Sequence, residues 1–218
     1  MNIAISHEGT DFDALASMFA VSKLYPGTRI IIGGSVNRNV RRFLTLYGTF
    51  FDYSTEKELD WKSVKKIWVV DASAPSRSGK AEELIQNGEV AFAVFDHHPE
   101  TTEGLKGEQV VIQPTGACTT ILVELIKEQI LPLNSLESTL LILGIYEDTG
   151  SLTFPTTTAR DLQAAAFLVE HGAKLSAVPD YVNMQLTNEQ RDVLKQMVNS
   201  LTVVEVNGIQ VHFTSVQV

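Results

Sequence analysis

Apolar runs and amphipathic stretches alternate along the first half of the chain in a βαβα rhythm, the pattern of a parallel sheet covered by helices. Asn2–Ser6 reads as a first strand and Phe12–Tyr25 as a helix with one apolar side, stopped by Pro26-Gly27. Arg29–Ile32 is a short β-branched strand, and Asn37–Tyr47 a helix with a basic face. Ile67–Val70 and Ala91–Phe95 are apolar runs that each end on an aspartate, and Gln109–Ile112 predicts one more strand.

The second half carries helical periodicity over Thr119–Ile130, Ser135–Tyr146, Ala159–Glu170 and Asn188–Ser200. Thr158 with Asp161, and Thr187 with Gln190, match the capping-box spacing. Gly172 is placed to end the third of these helices. Thr202–Val206 and Ile209–Val216 flank Asn207-Gly208, a strong hairpin signal. A lone hairpin is marginal in water. We therefore expect an α/β domain over 1–185, a linker helix over 186–200, and the beginning of a second, truncated domain over 201–218.

Chemistry enters at the strand ends. His7, Asp11 and Asp13 follow the first strand; Asp71 follows Ile67–Val70; Asp96-His97-His98 follow Ala91–Phe95; and Asp148 follows an apolar helix. In open α/β sheets, sites form outside the carboxyl ends of the strands, where the first three segments converge. Taken singly, each has a plainer role: a helix cap for Asp11 or Asp13, a turn residue for Asp71 or Asp148, a surface or core pair for the two histidines. Together they supply the hard oxygens that a pair of divalent cations needs, with imidazoles that shift preference from Mg²⁺ toward Mn²⁺ or Co²⁺. Two such ions can activate water and stabilise in-line displacement at phosphorus.

These four segments resemble the motifs of the DHH phosphoesterase superfamily, which includes family II pyrophosphatases, oligoribonucleases, exopolyphosphatases and cyclic-dinucleotide phosphodiesterases. The resemblance implies a Rossmann-like parallel sheet flanked by helices. It also implies one cation on His7, Asp11 and Asp71 and another on Asp13, Asp71, His97 and Asp148, with Asp71 as the bridge. Asp96 is implied to orient an imidazole, and His98 to face the phosphoryl group. The implied activity is hydrolysis of a phosphodiester or phosphoanhydride by a bridging hydroxide, with Asp71 and His98 in the catalytic machinery. His7 to Leu24, with Gly34, Ser35, Asn39, Val40, Arg41 and Phe43, is further similar to the N-terminal DHH region of multidomain bacterial proteins that continue into a tRNA nucleotidyltransferase/poly(A) polymerase domain. The glycine-rich, histidine-containing motif of the family's second domain (DHHA1) is not found in the sequence, and Gly9-Thr10 replaces the Asn-Pro common before the first aspartate.

Composition adds bounds. A formal charge of −9 argues against a broad nucleic-acid surface but not against a short anionic ligand, since bound cations reverse the local field. The expected partner is thus a phosphorylated small molecule or a short oligonucleotide, with tRNA or other RNA reached only through further domains. One cysteine, Cys118, excludes an intrachain disulfide, and its apolar neighbours predict a buried, inert thiol. No run approaches the roughly 20 apolar residues of a membrane span, no secretory signal is evident, and a cytoplasmic location is expected. Asn37, Arg38 and Arg41, after Gly33-Gly34-Ser35, form a candidate phosphate-binding group. Thr115 to Thr120 reads as a helix start, and His171 and His212 as structural. Two other functions fit the same residues: a non-catalytic metal-, nucleotide- or RNA-binding module of a nucleotidyltransferase-like polypeptide, or an inorganic pyrophosphatase.

Overall fold

The computed structural model describes residues 1–72, 80–98, 107–182 and 188–216. They fall into two units, Met1–Val182 and Asn183–Val218. The expected boundary at residue 185 and the cap at Thr187 lie outside the described residues.

In the first unit, β1 (Asn2–Ile5), β2 (Thr28–Ile32), β3 (Tyr53–Thr55), β4 (Lys66–Val70), β5 (Ala91–Asp96) and β6 (Gln109–Ile112) form one sheet in the order β3-β2-β1-β4-β5-β6. Every pair is parallel. The chain runs outward from β1 to β3 and then returns to the other side of β1, so the order reverses between β1 and β4. Such a switch point opens a crevice at the carboxyl ends of the two strands.

Both faces of the sheet are covered, which explains the near-continuous apolar runs. Ala4, Ile30, Ile32, Trp68, Val70, Ala93 and Phe95 pack toward the main helical layer. Their sequence neighbours Ile3, Ile5, Ile31, Ile67, Val69 and Val94 face a smaller cluster closed by Val64, Ala72 and Ala81. The period-2 alternation thus separates two apolar clusters rather than core from solvent.

The main helical layer consists of α1 (Phe12–Leu24), α2 (Arg38–Tyr47), α4 (Cys118–Glu128), α5 (Ser135–Asp148), α6 (Ala159–Glu170) and the short α7 (Val178–Tyr181), while α3 (Lys80–Gln86) covers the other face through Ala81. The expected one-sided burial of α1 is corrected: every residue from Phe12 to Val21 is buried. This helix lies under α4 and α5, and small side chains let them approach. Ser17 Oγ and Thr119 Oγ1 share a hydrogen bond of 3.2 Å. A Cβ at Gly144 of α5 would stand 2.7 Å from Thr119 Oγ1 and 2.8 Å from Ala16 Cβ. Glycine therefore sets the spacing of three helices.

Among the strands and α-helices of this unit, three were not anticipated. β3 is a three-residue edge strand of polar character, α3 buries only Ala81, and α7 is a single turn. None has enough apolar periodicity to register. Helix α5 extends to Asp148, two residues beyond the predicted end. Helix α6 carries its predicted cap, with Asp161 Oδ2 accepting from the Thr158 N–H at 2.7 Å, and Gly172 follows the helix at φ +87°.

The second unit contains α8 (Asn188–Asn199) and the antiparallel pair β7 (Thr202–Val206) and β8 (Ile209–Phe213). Asn207 and Gly208 both have positive φ, as a two-residue type I′ turn requires. Strand β8 ends three residues before the predicted Val216. Each residue of both strands is exposed. No helix among the described residues is long and apolar enough to cross a membrane.

Candidate metal centre

The turn after β1 brings His7 and Asp11 to the switch point, and α1 begins there. Asp11 caps that helix, accepting from the Ala14 N–H at 3.0 Å. Its plain role as a helix cap is therefore filled. Asp13, in the first turn of α1, is completely buried, and its two oxygens accept from Cys118 N (2.7 Å) and Thr119 N (2.8 Å) at the start of α4. The Thr115–Thr120 segment is thus more than a helix start. Its free N–H groups hold one of the candidate ligands in place.

Asp71 directly follows β4 with φ +53°, a left-handed conformation that Asp and Asn tolerate better than most residues. This backbone aims the carboxylate back across the crevice. Asp71 Oδ2 lies 3.3 Å from His7 Nε2, and Asp71 Oδ1 lies 3.4 Å from His97 Nε2. His97 Nε2 also lies 3.2 Å from Asp148 Oδ2 and 3.8 Å from Asp13 Oδ2, while His7 Nε2 is 3.7 Å from Asp11 Oδ2. Two donor sets with separate imidazoles result, His7/Asp11/Asp71 and Asp13/Asp71/His97/Asp148, and a third grouping joins Asp71, Asp96, His97 and His98. Asp71 belongs to all three.

Backbone carbonyls orient both imidazoles. His7 Nδ1 contacts Glu8 O at 2.8 Å and His97 Nδ1 contacts Thr115 O at 3.1 Å. Donation from Nδ1 leaves Nε2 as the inward-facing nitrogen, the usual device that prepares a histidine ligand. Asp96 is fully buried at the end of β5, and its Oδ1 accepts from His97 N (2.8 Å), His98 N (3.4 Å) and His98 Nδ1 (2.8 Å). That oxygen is so engaged, while Asp96 Oδ2 is buried without a hydrogen-bond partner among the described residues. His98 is about half exposed and lies 3.9 Å from Asp71 Oδ1.

The electrostatics show a site that demands positive charge. Hydrogen bonding to Asp71 raises His7 to about 9 against the opposing effect of burial. Burial also opposes the charge on His97, yet Asp148 and Asp71 push it up to about 11. Burial and the Asp71 charge raise Asp11 to about 6, and the same two causes, with Asp148, raise Asp13 well above the carboxylate range. Asp71 itself is held low despite burial, because the imidazoles of His7 and His97 both face its carboxylate. Asp71 Oδ1 and His97 Nε2 are buried with no hydrogen-bond partner of normal geometry among the described residues. Four clustered carboxylates, two imidazoles aimed by their far nitrogens and these unpartnered atoms fit two divalent cations.

Two carboxylates that brace the surroundings of this centre were not singled out in that role from the sequence. Glu147 accepts from the Phe12 N–H and, at 3.3 Å, from Asn37 Nδ2; burial pushes it up to about 7. Its sequence offered no signal beyond adjacency to Asp148. Asp161, legible as a helix cap, also accepts from Gly116 N (2.9 Å) and Thr120 Oγ1 (2.6 Å), tying α6 to the loop that orients His97.

Of the candidate phosphate group, Asn37 is engaged on both ends of its amide, since its Oδ1 accepts from Val40 N at 2.8 Å. Arg38 and Arg41 are exposed, and Arg41 lines a cavity with Gly33, Gly34 and Thr55. A second cavity of about 470 Å³ opens beside His97 and His98, walled by Ile112, Pro114, Thr115, Thr156 and Thr158. Cys118 is buried, as expected, with Sγ 3.2 Å from Phe95 O, and burial pushes its thiol well up. His171 Nδ1 lies 2.8 Å from Phe167 O at the end of α6, a structural contact.

The chain belongs to the DHH family: the model of the family's N-terminal domain matches residues 2–145. It is 36% identical over 212 residues to the A-adding tRNA nucleotidyltransferase of Geobacter sulfurreducens, covering 97% of this chain and 24% of that protein. The chain thus spans about a quarter of the length of that curated relative. It is 28% identical over 137 residues to the bifunctional oligoribonuclease and PAP phosphatase NrnA of Mycoplasma genitalium, covering 62% of this chain and 43% of the relative. Among solved structures, an exopolyphosphatase-related protein from Bacteroides fragilis superposes with a TM-score of 0.75 at 13% identity, over 93% of this chain and 62% of that one, a likeness of fold.

Proposed function

We propose that this domain is a divalent-metal-dependent phosphoesterase that cleaves a P–O bond in a short oligoribonucleotide or nucleotide ester. The carrying observation is Asp71, whose two oxygens face the imidazoles of two separate donor sets. His7, Asp11 and Asp71 would hold one cation and Asp13, Asp71, His97 and Asp148 the other; bound there, the pair would activate water and neutralise charge at phosphorus. The imidazole content favours Mn²⁺, with Mg²⁺ or Co²⁺ as weaker fits.

The chain's own residues supply the rest. His98, half exposed and anchored by Asp96, stands at the rim, where it can donate to a phosphoryl or leaving oxygen. Hydrogen bonding to Asp96 raises its pKa, which favours the donor form. The cavity beside it is walled by Ile112 and Pro114, and threonines are its other polar lining besides the two histidines, a surface suited to the organic part of a nucleotide rather than to pyrophosphate. Arg38 and Arg41 are free to meet a further phosphate, whereas the Asn37 amide serves α2 and Glu147.

The test is hydrolysis with added Mn²⁺ of a short oligoribonucleotide, a generic phosphodiester and pyrophosphate. The expected result is turnover of the first two and its loss in Asp71→Asn; full activity in that variant would overturn the reading. Preference for pyrophosphate would indicate a pyrophosphatase. A second reading rests on the relative of which this chain spans 24%. In it, the domain is a non-catalytic binding module of a tRNA nucleotidyltransferase-like protein, and it predicts intact metal binding without turnover of any substrate.

A further inference from the structure

We infer that Glu147, which belongs to neither donor set, is a positioning residue that holds the two candidate cation positions at a fixed separation. The inference rests on the dinuclear reading above. It begins with the one link the two donor sets share, Asp71. Otherwise the first set stands on the turn between β1 and α1, and the second draws Asp148 from the last residue of α5. Those two segments carry Asp11, Asp13 and Asp148, whose carboxylates repel one another. Something must hold the end of α5 against the start of α1.

Glu147 is that strut. One oxygen accepts the N–H of Phe12, which stands between Asp11 and Asp13 in the chain. This donor is one of the free N–H groups at a helix start, and a carboxylate there also meets the positive end of the helix. The other oxygen accepts from Asn37 Nδ2 at 3.3 Å. Asn37 in turn donates its backbone N–H to Thr10 O at 3.0 Å and caps α2 through Val40 N. The Ser35 carbonyl completes the brace by accepting from Gly9 N (3.1 Å) and Thr10 N (3.2 Å). One side chain thereby ties the β1–α1 turn, the β2–α2 turn and the end of α5 together. Aspartate, one methylene shorter, would not span the same gap.

The experiment is Mn²⁺ titration of the 218-residue protein, followed by calorimetry and by electron paramagnetic resonance, with a thermal melt in chelator as a folding control. Wild type is expected to take up two Mn²⁺ and show an exchange-coupled signal. Glu147→Ala should melt cooperatively but bind the pair about 10- to 100-fold more weakly, as loss of an outer partner typically does, and the coupled signal should give way to that of isolated ions. Glu147→Gln keeps an acceptor for Phe12 N but turns an amide N–H toward Asn37 Nδ2, so it should recover the coupled signal in part. Wild-type coupling in Glu147→Ala, or a Gln variant no better than Ala, overturns the inference. A wild-type protein that binds no Mn²⁺ pair overturns the dinuclear reading itself and the inference with it. If Glu147→Ala does not fold, Asn37→Asp decides: it keeps the Val40 cap but sets a carboxylate against Glu147. Weakened coupling is then expected, and unchanged coupling overturns the inference.

Discussion

Asp71 Oδ1 and His97 Nε2 face each other at 3.4 Å inside the crevice. His97 Nδ1 is engaged by the Thr115 carbonyl, so only a proton on Nε2 or a cation between the two atoms can reconcile them. Mn²⁺ should therefore stabilise the folded protein, by about 2.7 kcal/mol at a hundredfold excess over its Kd. Asp71→Asn keeps a side chain that tolerates positive φ but cannot bridge two ions. The expected outcome is a Mn²⁺-dependent rise in melting temperature for wild type and none for Asp71→Asn, read by calorimetry with and without chelator.

Asp13 and Asp148 stand in the same donor set, yet they should behave differently on substitution. Asparagine at 148 leaves the fold intact, because that carboxylate is partly exposed and ends a helix. Asparagine at 13 places an NH₂ group against Cys118 N or Thr119 N, leaving one buried donor unpaired at a cost of about 1–3 kcal/mol. In chelator, Asp13→Asn should melt well below Asp148→Asn, while both should bind Mn²⁺ poorly. Equal melting would contradict the anchoring of Asp13 by α4.

Asp161 governs a pH effect outside the metal centre. Burial opposes its charge, but donors from Thr120, Thr158 and Gly116 outweigh that and hold its carboxyl below the usual range. A depressed folded-state pKa means the stabilisation is present above the unfolded value of about 3.9 and is lost as pH falls through the lower folded value. Asp161→Asn should be less stable at neutral pH by about 2–3 kcal/mol, with the gap narrowing below pH 4. Urea midpoints across that range check it.

Gly144→Ala inserts a methyl group 2.7 Å from Thr119 Oγ1, 2.8 Å from Ala16 Cβ and 3.0 Å from Phe12 O. Overpacking of this kind costs about 1–3 kcal/mol. Because the displaced helices carry Asp13 and the N–H groups that anchor it, metal affinity should fall together with the melting temperature. Normal Mn²⁺ affinity in a destabilised Gly144→Ala protein would separate packing from the site.

Much of this protein is determined by its sequence alone. Apolar runs of strand length, three of them closed by Asp or His, defined five of the six sheet strands, and the type and spacing of His7, Asp11, Asp13, Asp71, Asp96, His97, His98 and Asp148 marked the candidate site. Such features are local: a strand's period and a motif's spacing are properties of neighbouring residues. The tertiary structure decided what depends on residues distant in the chain. It buried α1 on all sides, because α4 and α5 close over it. It set the α4 N–H groups against Asp13, more than a hundred residues away in sequence. It also gave Glu147 a partner in Phe12 that no spacing could reveal. A carboxylate's neighbours are chosen by how helices pack, and that packing is written across the whole chain rather than at any one motif.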